Sequence, residues 1–360
     1  MEMMLLEDCC DILDSMRVPI TAKDRKKGPY PYYGANGVQD YVADYIFDDN
    51  LVLLAEDGGN FGSEERPIAY KVSGKCWVNN HAHVLKPKEG IDVDYLCYSL
   101  MFYKVDGMVN GATRMKLTQA AMRKMLIPSR KIKEQKEIVG ILNKVQVLIK
   151  EEKEQLERYD ELIKSRFVEL FGDSEHNTKN FPVFSLNKLC KVGSSKRIYQ
   201  NEQSTTGIPF LRISDLNDRI DKGIQTSELF IPFEKYAELL AYGLVPIAGD
   251  ILVTSRGTLG KCYIVKESDK FYFQDGMISW LSEIDGNITS LYIAYLFAMP
   301  GIQKQIINLQ AGSTVAYLSI AMLKKLDIML PPLELQNQFA TFVHQIDKLK
   351  FQRQILYSYH

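Results

Sequence analysis

Two histidines, His81 and His83, stand two apart in VNNHAHVL. On a β-strand that spacing puts both rings on one face, where they could share a metal ion, although the sequence offers no evident third ligand. The alternative is a pair of hydrogen-bonded structural or nucleic-acid-facing histidines. Glu56 and Asp57 sit side by side in a Gly-rich turn of a kind that suits proton transfer. A later copy of the same segment carries Arg256 and Gly257 at those positions. An acid in one copy and a base in the other fits two readers with different targets; a shared catalytic site would keep its group. The segment SRGTLGKC, from Ser255 to Cys262, resembles a phosphate loop. Its first required glycine is replaced by Ser255, however, and Lys261 is followed by Cys262, so a glycine-rich strand and turn is the better reading. Neither a G-x-S-x-G elbow nor an H-E-x-x-H pair occurs.

What remains is recognition. Lys23, Arg25, Lys26 and Lys27 precede GPYPYYGANG, which places cations beside Tyr30, Tyr32, Tyr33 and Asn36. Cations neutralise phosphates, and Asn and Arg can make paired contacts to base edges. The bland alternative is a solvated charge run followed by core tyrosines. Further along, Arg197, Arg212, Ser214, Arg219, Ser255, Arg256, Thr258 and Lys261 are the loop candidates for the same chemistry, with His81, Glu56 and Asp57 from the first copy. Thr113, Arg114 and Lys116 follow Gly111, and Ser313 and Thr314 match them after Gly312. These could contact phosphates or simply cap the helix that follows.

The elements that position these residues are duplicated. GATRMKLTQAAMRKM, from Gly111, aligns with GSTVAYLSIAMLKKL, from Gly312, at a shift of 201 positions, and the match continues without a gap through Gln135/Gln336 to Leu148/Leu349. Upstream, DNLVLLAEDG meets DILVTSRG at a shift of about 200, and LLEDCCDI resembles SLNKLCKV. From Ile138 the positions Leu142, Val145, Ile149, Glu152, Leu156, Tyr159, Ile163, Arg166 and Leu170 alternate by four and three, the spacing of a coiled-coil seam broken by two charged residues. A helix from about Lys131 to Phe171 would be roughly 60 Å long. After Pro331 and Pro332 a second helix repeats the pattern with Phe339, Val343, Ile346 and Leu349, but ends one to two heptads earlier relative to the first. Asp49 to Ala55, Cys76 to Leu85, Ile251 to Ser255 and Met277 to Leu281 read as strands, and Tyr95 to Tyr103 and Tyr292 to Met299 as helices. The class is α+β, divided as 1–128, a central helix 129–172, a second domain 173–330 and a shortened distal helix 331–360.

The 360 residues carry 44 Lys and Arg against 45 Asp and Glu, a net charge of −1. No global cationic field exists to drive indiscriminate nucleic-acid or membrane binding, so any such surface must be local. The six cysteines form no C-x-x-C pair, and the chain lacks a signal-like start or a long apolar run, which suits a reduced, cytoplasmic setting without a membrane span.

Two variable halves, each ending in a G-[AS]-T turn, a basic and apolar helix and a Gln at the next helix start, resemble the specificity subunit of type I restriction-modification systems. PYYGANG and VNNHAHVL are similar to pieces common in that family's target-recognition domains. The resemblance covers essentially the whole chain. It implies two tandem mixed α/β target-recognition domains separated by two long antiparallel coiled-coil helices, each domain reading one half of a split target on double-stranded DNA. It also implies a subunit without an active site or bound cofactor. Two methyltransferase subunits would use S-adenosylmethionine, and restriction subunits would use ATP and Mg. The expected N/D-P-P-Y/F tetrad of an adenine methyltransferase is absent, Pro331 and Pro332 being followed by Leu333. A coiled-coil scaffold that binds only protein, or a truncated subunit with weakened assembly, remains the alternative.

Overall fold

The computed structural model describes residues 2–111, 115–310 and 316–358; Thr113, Arg114, Ser313 and Thr314 lie outside them. The chain divides into two compact units, Met1–Glu152 and Lys153–His360.

In unit 1 the order is β1 (Met3–Leu5), α1 (Leu6–Cys9), β2 (Cys10–Ile12), β3 (Lys27–Gly34), β4 (Gly37–Val42), β5 (Phe47–Ala55), β6 (Ala69–Val78), β7 (Ala82–Pro87), α2 (Val93–Met101), β8 (Val109–Asn110), β9 (Lys116–Leu117), α3 (Gln119–Arg123), β10 (Leu126–Pro128) and the start of α4 (Ile132–Phe171). The main sheet has the order β2-β7-β5-β6-β3-β4. Its centre is β5, whose Leu51 to Ala55 are all 0% exposed. Such a run, apolar on both faces, can only sit between two covering layers. The expected strand from Cys76 to Leu85 is two strands, because the buried Asn79 accepts the His81 backbone N–H at 2.8 Å and turns the chain. His81 therefore lies in that turn and His83 in β7, so the two do not share a strand face.

Unit 2 contains the end of α4, then β11 (Val183–Ser185), β12 (Lys191–Gly193), β13 (Ile208–Leu211), α5 (Ile213–Lys222), β14 (Phe230–Ile231), α6 (Phe233–Ala241), β15 (Ile251–Thr254), β16 (Cys262–Ile264), β17 (Tyr272–Phe273), β18 (Ile278–Ser282), α7 (Ser290–Phe297), α8 (Pro300–Leu309), α9 (Ile320–Leu323), β19 (Asp327–Met329) and α10 (Leu333–Ser358). Its sheets are β12-β18-β15-β16 and β14-β13-β17.

The two units repeat one another at the start of the helix that follows each. Gln135, at the start of α4, donates to the carbonyls of Gly90 and Arg130 at 3.0 and 2.9 Å and accepts from the Asp92 N–H at 2.8 Å. Gln336, at the start of α10, makes the same three bonds to Asn287, Pro331 and Thr289 at 3.0, 2.9 and 2.8 Å. Both side chains are 0% exposed, where an amide must satisfy its donors and acceptor internally. Tyr95 and Tyr292 likewise donate to the carbonyls of Pro128 and Met329.

These bonds also correct the alignment by one residue. The N–H groups of Leu117 and Leu318 donate to the carbonyls of Glu56 and Ser255, and the N–H groups of Glu56 and Ser255 to those of His81 and Met277. Glu56 thus corresponds to Ser255 and Asp57 to Arg256, with Gly58 and Gly257 following at φ of 62° and 71°. The slip arose because loop lengths differ between the copies, which sequence alone cannot partition.

In unit 2, α10 runs antiparallel to the last turns of α4. Phe339 packs edge-on to Phe167 and Phe171 at 5.4 and 5.6 Å, while Lys350 pairs with Asp160 at 2.6 Å. Ile163, Val343 and Ile346 join that core, with Tyr159 partly buried against it and Leu156 half-buried. The seam expected further along is not closed: Val145, Ile149 and Leu349 are 44%, 43% and 43% exposed. Ile138, partly buried, packs instead on the core of unit 1, and with Leu142 it lines a groove beside Tyr95 and Tyr98.

Candidate nucleic-acid interface

In unit 1 one end of the main sheet gathers the tip of the β3–β4 hairpin, the end of β5, the β6–β7 turn and β9. Asn36, exposed at the hairpin tip, donates to the Gly58 carbonyl at 3.0 Å. Asp57 Oδ1 lies 2.7 Å from His81 Nδ1, and Asp57 bridges to Lys116 through the backbone. Asn36, Asp57, His81 and Lys116 are thus brought together although they are up to 80 positions apart (36 to 116).

Behind them lies a buried charge network that sequence reading missed. His83 Nδ1 is 2.6 Å from Asp14 Oδ2, and Nε2 is 2.9 Å from the Leu117 carbonyl. Glu56 binds Arg17 at 2.7 Å and Lys116 at 2.9 Å and lies 3.7 Å from His83. Glu56 is therefore a framework group, because its oxygens are turned to cations inside the unit. Asp14, Glu56 and His83 could geometrically hold a metal, each offering a ligand atom within 4.8 Å of the others. Arg17 already supplies a cation there, 3.5 Å from Asp14. Burial raises the cost of ionising Asp14 and Glu56, but bonds from His83 and Val84 to the first and from Arg17 and Lys116 to the second outweigh it, holding both carboxyls below their ordinary values. Bonding to Glu56 holds the Lys116 ammonium above its usual value.

The basic run is divided. Lys23, Lys26 and Lys27 are exposed. Arg25 is anchored by the Ile20 carbonyl at 3.1 Å and by Asp40 at 3.3 Å, with its guanidinium 4.2 Å above the Tyr32 ring. Tyr32 is 1% exposed and is a core residue, so it cannot touch DNA; it alternates inward on β3. Tyr33 is half-buried against Tyr70.

In unit 2 the corresponding end holds a cleft of about 570 Å³ lined by Arg197, Gln203, Arg256, Gln274, Met277 and Tyr317. Arg256 is exposed, 5.6 Å from the Tyr317 ring centroid, and Arg197 pairs with Asp275 at 2.8 Å. Two residues expected to meet DNA belong elsewhere. Arg219 is 8% exposed, paired with Asp269 at 2.8 Å and stacked on Phe271, and so holds the core of unit 2. Ser255 is 1% exposed and bonded to Ser279 at 2.8 Å. Arg212 and the exposed Ser214 begin α5, where Arg212 pairs with Asp215 and Glu228 at 3.3 and 2.9 Å. Thr258 and Lys261 line a different groove, with Lys261 paired to Asp221 at 2.6 Å. Tyr317 could have been found by carrying the repeat onto Lys116 at the shift of 201; Gln274 and Asp275 carry no such signal.

The architecture is a duplicated mixed helix and sheet unit with a long helix after each copy. The family model for the type I restriction modification DNA specificity domain matches twice, over residues 1–158 and 178–356, and the chain belongs to that family. It is 31% identical over 349 residues to a putative type I restriction enzyme specificity subunit of Haemophilus influenzae, covering 96% of this chain and 87% of that protein. A type I restriction enzyme specificity subunit of Methanocaldococcus jannaschii is 24% identical over 383 residues, covering 97% and 86%. The crystal structure of the type I restriction-modification S subunit from M. genitalium shares the fold, with a TM-score of 0.56 at 14% identity over 99% of this chain and 92% of that one. Among the described residues, no helix is long and apolar enough to cross a membrane.

Proposed function

We propose that this chain is the sequence-reading subunit of a type I restriction-modification complex and that its two units each read one half of a split target on double-stranded DNA. The observation that carries this is the repeated framework with unlike surfaces: matched buried bonds at Gln135 and Gln336, but Asn36, Asp57, His81 and Lys116 in one unit against Arg197, Arg256, Gln274 and Tyr317 in the other. A common scaffold with different side chains at the same end suits two different half-sites. Lys23, Lys26 and Lys27 would meet phosphates, and Thr113, Arg114, Ser313 and Thr314 belong to the same candidate surfaces by sequence.

In this reading the chain selects the site and partner subunits perform the chemistry. Two methyltransferase subunits would bring S-adenosylmethionine, and restriction subunits ATP and Mg, in the cytoplasm. The exposed Val145, Leu148 and Ile149 on α4 suit contact with such a partner. The test is sequencing of methylated adenines in cells carrying this chain with its methyltransferase partner. A split motif that disappears when the chain is deleted is expected. Methylation unaffected by the deletion would remove the reading.

A further inference from the structure

The corrected register brings out a reversal of charge at one point of the shared framework. Asp57 and Arg256 each follow a residue, Glu56 or Ser255, whose N–H and carbonyl make the same backbone bonds to neighbouring strands, and each precedes a glycine in the left-handed region. Their Cβ atoms therefore start from equivalent places. Around them the neighbours change together: His81 corresponds to Met277 and Lys116 to Tyr317. In unit 1 the result is a carboxylate held by an imidazole at 2.7 Å beside an ammonium. In unit 2 it is a guanidinium 5.6 Å from an aromatic ring, in the lining of a cleft that Met277 also lines.

We propose that these two residues are the specificity-determining pivots of their units: Arg256 reads guanine in one half-site and Asp57 reads the amino group of cytosine in the other. The inference rests on the DNA-reading function above and deepens it. Guanine presents two acceptors, N7 and O6, in the major groove, and a planar guanidinium matches both at once. The Tyr317 ring lies 5.6 Å from the Arg256 guanidinium carbon, a cation–π contact that favours rotamers directed along the ring. Cytosine presents the N4 amino donor, which a carboxylate accepts. His81 holds Oδ1 of Asp57 and so fixes the direction in which the carboxylate is presented. An aspartate facing guanine O6, or an arginine facing a cytosine amino group, would leave like charges or two donors opposed. Each residue thus rejects the base the other accepts.

The test uses the complex of the full chain with its methyltransferase partner, selecting duplexes from a randomised pool and sequencing them. The wild type, R256A, R256K and D57N are compared, with thermal melting of each complex as a folding control. Expected is a split motif for the wild type. R256A and R256K should each weaken one guanine preference by about tenfold or more, in one half only. D57N should weaken one cytosine preference in the other half. R256K keeps a positive charge on a flexible stem, so it separates loss of the fork from loss of charge and serves if R256A does not fold. A split motif whose guanine and cytosine preferences survive these substitutions at unchanged melting overturns the inference alone, as does relaxation of a different base. A wild-type complex that selects no split motif overturns the DNA-reading function itself.

Discussion

At the residue scale, the two units solve one buried problem with different chemistry. Ile12 lies opposite Leu85 and Val192 opposite Leu281, so Asp14 corresponds to Ser194, as Glu56 does to Ser255 and His83 to Ser279. Unit 1 therefore seals the end of its sheet with paired charges, whereas unit 2 uses hydroxyls that do not titrate. Asp14 and Glu56 are held below their ordinary values, so their stabilisation is complete above the unfolded carboxylate range, about 4, and is lost as pH falls through the folded values. On acidification from pH 5 to 3, hydrogen exchange corrected for intrinsic rates should show β5 losing protection before β15, and Asp14→Asn should narrow the difference. Simultaneous loss in both units would contradict this. Little of that network was legible in the sequence. The pairing of His83 with Asp14 joins positions 69 apart, and no local spacing encodes a pairing set by strand order. Tyr32 misled for a related reason: its aromatic ring sits in a basic segment, but strand alternation, not composition, decides which face it occupies.

At the element scale, the four and three spacing in α4 announced a helix and its apolar stripe, and the repeat announced its counterpart. It could not announce which turns would find cover, since side chains that bury Ile163 and Phe167 lie more than a hundred positions away in sequence. Burial now separates them. Phe167 is 0% exposed between Tyr292 and Phe339, and Val145 is 44% exposed. Phe167→Ala should cost about 3–5 kcal/mol of stability, read as a lower urea midpoint for unit 2. Val145→Asp, on the part of α4 that belongs to unit 1, should leave the midpoint of unit 1 unchanged within about 0.5 kcal/mol. Equal losses from the two substitutions would show that the stripe is covered along its whole length. The same logic explains Gln135 and Gln336: their position in the repeat was legible, but their three buried bonds were not, because the partners lie 43 to 49 positions away for the turn preceding α2 or α7.

At the scale of the whole molecule, a net charge of −1 leaves attraction to DNA in the hands of local groups. Lys23, Lys26 and Lys27 are exposed, and none of them is needed by the cores described above. If they meet phosphates, replacing Lys26 and Lys27 by alanine should reduce the slope of log Kd against log salt by about one for each phosphate no longer neutralised and leave the selected motif intact. A changed motif at constant slope would place them on bases instead. The fold class and the duplication were legible because repeated apolar spacing survives changes of loop length. The reading surfaces were legible only in part, as exposed polar residues differ between copies for reasons that no spacing records.

The glutamine-pinned joints give the two modules matching ends. Segments 2–128 and 182–329 begin and end on the same backbone pairings, with Ser129 donating to Glu2 and Leu330 to Pro182. A chain carrying the second segment at both places should fold, its splice points meeting familiar neighbours. Methylome sequencing should then show one half-site written twice and the other gone; retention of the native motif would mean that recognition is not portable with the module.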